Sequence, residues 1–236
     1  MSMTYLDVVN AVLRDTNEVP LNAQAFMAAR GFHSFIKEAV NRALMDIVNE
    51  SDEWPWLANI PQDIGISAHS NEITTKRRQV IYSFPEDTMQ IDWDSFVLTD
   101  MRGKGSAPLT PISYEEWQRY RHPDVLGNRV ESALGAPSII YRTKDQKGFG
   151  LSPVPDKAYR VQFISWHSPA LLVSPVDTLP FPERFYTVLV HRARYYAWMF
   201  RENPQQAQMA FRDYDSGLRR MKQSLIKPIF QRMRAV

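Results

Sequence analysis

The chain has 236 residues, 44% of them hydrophobic and 23% charged, so it is long enough for one domain with an insertion, or two small ones, around a sizeable core. It has no cysteine, which excludes disulfides and thiolate sites and suits folding in a reducing cytoplasm. No run reaches the roughly 18 apolar residues that span a bilayer, and Met1-Ser2-Met3-Thr4-Tyr5 lacks a signal-peptide pattern, so no membrane partner is expected.

The net charge of +2 hides a polarity along the chain. Residues 1–60 carry four basic and eight acidic side chains, whereas residues 183–236 carry eleven basic and four acidic. Either the two ends face each other or the basic end meets an acidic partner.

In chain order, Thr4 reads as an N-cap with Asp7 in the capping-box place, and Tyr5, Val8, Val9, Val12 and Leu13 follow at helical spacing. Val19-Pro20 ends that helix. A second is predicted over Phe32–Asn49, making an αα-hairpin with a short turn or helix between. Trp54-Pro55-Trp56-Leu57 leaves the helix, because a pre-proline residue disfavours the helical region. Trp54 and Trp56 are expected as aromatic anchors at the passage into the β part. A nucleotide-stacking role fits poorly, as no basic residue lies in the motif.

Short β-prone runs follow at Ile64 and Ile66, Val80–Tyr82 and Phe96–Leu98, with a turn at Pro85-Glu86-Asp87. Ser113-Tyr114-Glu115-Glu116 opens a short helix through Tyr120, and residues 121–134 read as a polar surface loop. From Gly135 the pattern sharpens. Gly135-Ala136-Pro137 is a turn, Ser138–Thr143 a strand and Asp145–Gly148 a turn. Leu151 begins a strand that Pro153 and Pro155 stop, since proline donates no ladder hydrogen bond. Tyr159, Val161, Phe163 and Ser165 share one face of the next strand. These three strands are expected to form an antiparallel meander.

Ser174–Pro182 should be extended. It leads to helices at Glu183–Arg201 and from Asn203-Pro204 onward, the second with a stripe of Ala207, Ala210, Phe211, Tyr214, Leu218, Met221 and Leu225. The fold class expected is α+β. Residues 1–57 and 181–227 form one helical bundle, 58–180 an inserted antiparallel β-rich domain, and 228–236 a C-terminal tail.

The sequence offers no catalytic constellation. The five histidines lack metal spacing, Glu115-Glu116 suits a helix first turn, and Gly103-Lys104-Gly105-Ser106 lacks the pattern of a phosphate loop. No cofactor, no metal and no enzymatic activity are expected. The C-terminal arginines fit a solvated helix face, an acidic protein partner or nucleic acid.

The order of these motifs resembles the head-to-tail adaptor ring proteins of short-tailed bacteriophages, also called tail tubular protein A or tail connector proteins. The resemblance rests on the opening helix Tyr5–Thr16, Trp54-Pro55-Trp56-Leu57, the turn Tyr82–Asp87 and Gly135-Ala136-Pro137. It continues through Leu151-Ser152-Pro153-Val154-Pro155-Asp156, the Tyr159-led strand and the closing helix pair. It implies a structural virion protein at the head–tail junction, in a ring usually of twelve copies. The ring sits between the portal protein and the tail nozzle protein, and genomic DNA passes through its lumen without sequence-specific binding. The runner-up is a nucleic-acid-binding module using the basic C-terminal helices; a tail hydrolase lacks a recognisable carboxylate pair. The residues expected to meet the portal are Ile229, Phe230, Arg232, Met233 and Arg234. Trp54, Trp56, Gly135, Pro137, Pro153, Pro155 and Tyr159 are expected to be structural anchors.

Overall fold

The computed structural model describes residues 3–59, 72–103, 105–121 and 134–226. They divide into two compact units, the first from Met1–Leu57 and Pro169–Val236 and the second from Ala58–Ser168. The chain is α+β, with helices at both ends and an antiparallel-rich β unit inserted in the sequence between them.

The helical unit opens with α1 (Tyr5–Asp15), α2 (Ala23–Met27) and α3 (Phe32–Asn49). The α1 terminus has a complete capping box. Thr4 Oγ1 accepts from Asp7 N, and the Asp7 carboxylate accepts from Thr4 N at 3.0 Å. That hydrogen bonding holds the Asp7 carboxyl below its ordinary pKa. All five residues of the predicted stripe are buried.

The inserted unit contains β1 (Ala58–Asn59), β2 (Glu72–Thr74), β3 (Ile81–Ser83), β4 (Thr88–Asp100), β5 (Ser106–Pro108) and β6 (Thr110–Ile112). After α4 (Tyr114–Arg121) come β7 (Leu134–Gly135), β8 (Ile139–Arg142), β9 (Gly148–Ser152), β10 (Val154–Pro155) and β11 (Tyr159–His167). A 3-10 turn, Glu183–Phe185, then leads back in the helical unit to α5 (Tyr186–Phe200) and α6 (Pro204–Leu225).

In the helical unit α5 packs against α6, α3 and α1. Asn203 caps α6 by accepting from Gln206 N, with Pro204 in the first turn. Of the α6 stripe, Ala207, Ala210, Tyr214, Leu218 and Met221 are buried, but Phe211 is 44% exposed and Leu225 half-buried. The expected boundary of the β-domain near residue 180 falls earlier. From Pro169 the extended chain belongs to the helical unit, where Pro175 and Asp177 carbonyls accept from Leu6 and Tyr5 amides and Thr4 bridges Thr178. The first-turn donors of α1 are thereby satisfied, as a buried helix start requires.

Two larger sheets and a two-stranded one, β10-β7, make the described β unit. Of the larger two, one runs β1-β11-β4-β5 with β2 also paired to β11; the other runs β3-β9-β8-β6. They share one core that includes Phe96, Ile140, Phe149, Leu151, Val161 and Phe163. The rings of Phe96 and Phe163 stack at 4.7 Å. The β11 alternation is as read from sequence, with Tyr159, Val161, Phe163 and Ser165 inward.

The three-stranded meander is not what forms. β8 and β9 are an antiparallel hairpin, but β11 lies in the other sheet, flanked by β4 on one side and β1 and β2 on the other. The prolines explain the departure. Between them the chain leaves the β9 ladder, pairs parallel with β7 through Val154 and Pro155, and turns at Asp156 into the second sheet.

The strand expected at Phe96–Leu98 is also the end of a much longer one. β4 begins at Thr88, and its acidic middle is accommodated by a bulge. There Asp94 N donates to Asp92 Oδ1, Ser95 Oγ donates to the Asp92 carbonyl at 2.6 Å, and Ile164 N donates to Ser95 Oγ at 2.9 Å. A side-chain hydroxyl thus substitutes for a ladder acceptor where the register shifts. The strand predicted at Ile64 and Ile66 and the loop at 122–133 lie outside the described residues.

Candidate docking surfaces

The described residues hold no group of His, Asp and Glu able to bind a metal, and no helix among them is long and apolar enough to cross a membrane. Residues singled out for possible chemistry have local structural uses. Ser113 Oγ accepts from Glu116 N at the start of α4, and Glu115 and Glu116 occupy its first turn. Gly103 and Gly105 take positive φ in the turn from β4 to β5, while Lys104 lies outside the described residues. His167 meets Ser165 and Asp87, His33 reaches the Val19 carbonyl at 3.4 Å, and His69 and His122 are outside the described residues.

The charge polarity of the chain resolves into ion pairs between its ends. Arg192 Nε donates to Asp46 at 2.6 Å, Arg194 reaches Asp15 at 3.3 Å and Asp213 at 2.5 Å, and Lys222 reaches Glu50 at 2.8 Å. Arg201 pairs with Glu18 and donates to the Thr16 carbonyl at 2.7 Å. Four basic residues of α5, α6 and the turn between them are thus matched by carboxylates from the N-terminal segment. Exposed pairs of this kind contribute only about 0–1 kcal/mol each, so they set orientation more than stability.

The Arg192 pair is the exception in its surroundings. Its guanidinium lies 4.9–5.7 Å from the rings of Tyr195, Tyr196, Phe211 and Tyr214. Tyr196 OH donates to the same Asp46 oxygen at 2.5 Å. Burial works against the Arg192 charge, yet the Asp46 hydrogen bond and charge hold its pKa above the ordinary value; burial and the same carboxylate raise that of Tyr196. The other basic residues of α6 are dispersed: Arg212 is exposed, Arg219 pairs with Asp215, and Arg220 donates to the Ser216 carbonyl.

His191 sits beside this belt. Burial, and then the Arg194 charge, hold its pKa below 6.5, with Asp213 and Asp15 opposing. The unfolded chain therefore takes up the proton first as pH falls. The contribution from neutral His191 is full above about pH 6.5 and is lost below it. The melting temperature should fall between pH 7 and 5, and the fall should be shallower in His191→Gln. An equal fall in both proteins would assign the effect to other groups.

The tail residues Ile229, Phe230, Arg232, Met233 and Arg234 lie outside the described residues; α6 ends at Leu225, capped at Ile226. The expected anchors are placed as follows. Trp54 is wholly buried and donates to the Ile47 carbonyl at 2.9 Å, whereas Trp56 is half-buried between Trp54 and Phe181. Gly135 and Pro155 pair in the β7–β10 ladder, Pro137 and Pro155 are buried, and Pro153 lies beside Gly135. Tyr159 OH donates to Asp156 at 2.7 Å; burial, helped by that bond, pushes its pKa up to about 12. Residues 20 apart in sequence are therefore neighbours in one corner of the β unit.

Sequence reasoning missed one feature of this unit, a groove of about 780 Å³. Thr88, Met89, Gln90 and Ile91 of β4 line it, with Phe84 and Trp93 as aromatic walls and Arg142 and Lys147 on the β8–β9 hairpin opposite. The one signal for it in the sequence is Met89, an apolar side chain beside a turn, which the structure leaves 39% exposed.

The family model described as SU10 adaptor protein matches residues 3–234, nearly the whole chain. No curated protein matches it.

Proposed function

We infer the role of this chain from its family: it belongs to the SU10 adaptor protein family, which is one of phage adaptor proteins, structural components of the virion. The reading proposed is a head-to-tail adaptor. Copies of the chain form a ring, twelve by the resemblance, mounted under the portal protein. The tail nozzle protein attaches below, and the genome leaves through the lumen. The observation that carries it is the family match over residues 3–234, which includes both helical ends and the inserted β unit.

The ion-pair pattern supports this reading over nucleic-acid binding. A phosphate-binding surface needs arginines and lysines gathered on one exposed face. Here Arg192, Arg194, Arg201 and Lys222 are matched by carboxylates of the same chain. A lumen that passes a genome also gains nothing from tight phosphate contacts. No step in this role requires a catalytic group, so the chain is read as a non-enzyme.

The tail is the proposed portal contact. Pro228 halts helix continuation, and the residues beyond it combine apolar Ile229, Phe230 and Met233 with Arg232 and Arg234. Such a segment can lay its apolar side chains into a groove and pair its arginines with carboxylates. Repetition around a ring raises the effective concentration of every tail. Deleting residues 228–236 should leave the melting temperature unchanged and abolish co-assembly with the portal, read by electron microscopy and by sedimentation. Normal assembly would remove the tail from the mechanism, and a lowered melting temperature would make it part of the helical unit.

A further inference from the structure

Ion pairing within the helical unit leaves charge of both signs unmatched, on opposite sides of α3. One side carries the extended segment 169–177, held against α1 and α3 by its backbone. Asn41 Nδ2 donates to the Leu172 carbonyl at 2.8 Å, and Asn41 Oδ1 accepts from Leu172 N at 2.9 Å. The Asp177 carboxylate accepts from Val173 N and Ser174 N, both at 2.7 Å. Held this way, the segment buries Leu172 but leaves Leu171, Val173 and Val176 exposed by 56%, 72% and 71%. Single exposed apolar side chains are ordinary, whereas three of them on one short hydrogen-bonded segment make a patch.

The charges around that patch are acidic. Asp7 follows Tyr5 and Leu6, whose amides bind the segment, and Glu38 lies one turn before Asn41 on α3. Burial, and then the charges of Glu38 and Asp177, raise the pKa of the Tyr5 phenol. Among the described residues no ion pair forms to Asp7, Glu38 or Asp177. The nearby cations are turned elsewhere, Lys37 to the Phe26 carbonyl and ring and Arg42 to the Tyr196 ring, while Arg14 stands two turns along α1 from Asp7.

The other side is α6. Asp46 and Glu50 of α3 pair with Arg192 of α5 and Lys222 of α6. Those two carboxylates lie about 140° and 180° around α3 from Asn41, at roughly 100° per residue. The α5–α6 pair therefore meets the face of α3 opposite the patch. On the outer side of α6, away from its buried stripe, Met209 is 57% exposed, and Arg212 and Arg220 are exposed within roughly 60° of it around the helix. Among the described residues neither arginine forms an ion pair.

We propose that the patch at Leu171, Val173 and Val176 of one copy docks on the outer side of α6 of a second copy, around Met209. Charge chooses the occupant. Asp7, Glu38 and Asp177 beside the patch complement Arg212 and Arg220 beside Met209, and opposite potentials of this kind fix partner and register. Met209 and the arginine stems cover the aliphatic side chains, while the guanidiniums stay at the rim. The two surfaces differ and face opposite sides of the unit. The contact is therefore head-to-tail and repeats from copy to copy, and it closes into a ring when the rotation between copies allows. The proposal rests on the ring reading above and says which surfaces make the ring.

The absence of native cysteine allows a direct test. Met209→Cys is combined in turn with Leu171→Cys, Val173→Cys and Val176→Cys. All four positions are exposed, so each variant should keep the wild-type melting temperature. Every protein is oxidised with and without portal, and rings are followed separately by mass photometry and electron microscopy. The expected result is a ladder of covalent multimers from at least one double variant, because a disulfide forms only between Cα atoms about 4.4–6.8 Å apart. An equal mixture of the two matching single variants should give covalent dimers and nothing larger, and each single variant alone should give none. Rings without any ladder would overturn this contact and leave the ring reading standing. Dimers from one single variant alone would overturn it by showing a two-fold contact, and a crosslinked species of monomer mass by bringing both surfaces together on one chain. Absence of both rings and ladder would overturn both readings.

Discussion

Replacing Trp54 with alanine should lower the unfolding free energy by about 3–5 kcal/mol, the usual cost of deleting a large buried aromatic. Trp54 is 0% exposed, so truncation leaves a cavity rather than a dent in the surface. Its Nε1–H donates to the carbonyls of Ile47, at 2.9 Å, and of Val48, at 3.2 Å, in the last turn of α3. Those carbonyls have few intrahelical partners, and the indole ties the chain leaving the helix back onto it. Trp56 differs. It is half-buried, it packs at the side of Trp54 at 5.8 Å and against Phe181 at 5.5 Å, and Trp56→Ala should cost only about 1–2 kcal/mol, within the range of ordinary substitutions. Urea unfolding followed by circular dichroism measures both. Equal midpoints for Trp54→Ala and wild type would show that the tryptophan does not hold the helix end.

Gly148→Ala should cost about 3 kcal/mol, the upper end of the usual range for forcing atoms into a packed site. A Cβ at this position would stand 2.2 Å from the Tyr82 carbonyl oxygen. The obstacle is backbone, held by the β3–β9 ladder in which Ser83 faces Gly148. On its other side Gly148 is bound to Thr143, whose Oγ1 accepts from Gly148 N at 3.1 Å while Thr143 N donates to the Gly148 carbonyl at 3.1 Å. Neither neighbour can retreat without opening hydrogen bonds. Gly135→Ala is the matching control, because a Cβ there meets Pro153 at an ordinary 3.8 Å. The pair is read by thermal melting: Gly148→Ala well below wild type, Gly135→Ala close to it. A Gly148→Ala protein melting like wild type would mean that β3 is free to move away from β9.

Capping and periodicity are written over one to four residues, and where a feature depended on them the sequence determined it. Thr4 and Asp7 start α1, the apolar spacing from Phe32 to Asn49 sets α3, and Asn203-Pro204 starts α6. The alternation of Tyr159, Val161, Phe163 and Ser165 fixed which face of β11 is buried. The turn at Pro85–Thr88 was likewise legible, since its proline and acidic residues act locally. Fold class and the family's structural role followed from the order of such elements.

Partner choice was not so written. Nothing local to Tyr159–His167 says that β4, whose paired residues lie 59 to 79 positions earlier, lies beside it rather than β9, because the ladder uses backbone groups that every residue possesses. The acidic stretch Asp92–Asp94 has low strand propensity and becomes strand only because Ser95 and Ile164 close a bulge across the sheet. Gly148 looks like turn chemistry until Tyr82 is placed against it, and Trp54 and Trp56 look alike until one is enclosed and the other is not. The groove at Thr88–Ile91 belongs to the same class. It exists because β5 stops short along β4, and the length of a neighbour's pairing is decided by tertiary packing, where long-range contacts outweigh the local preferences of the residues they join.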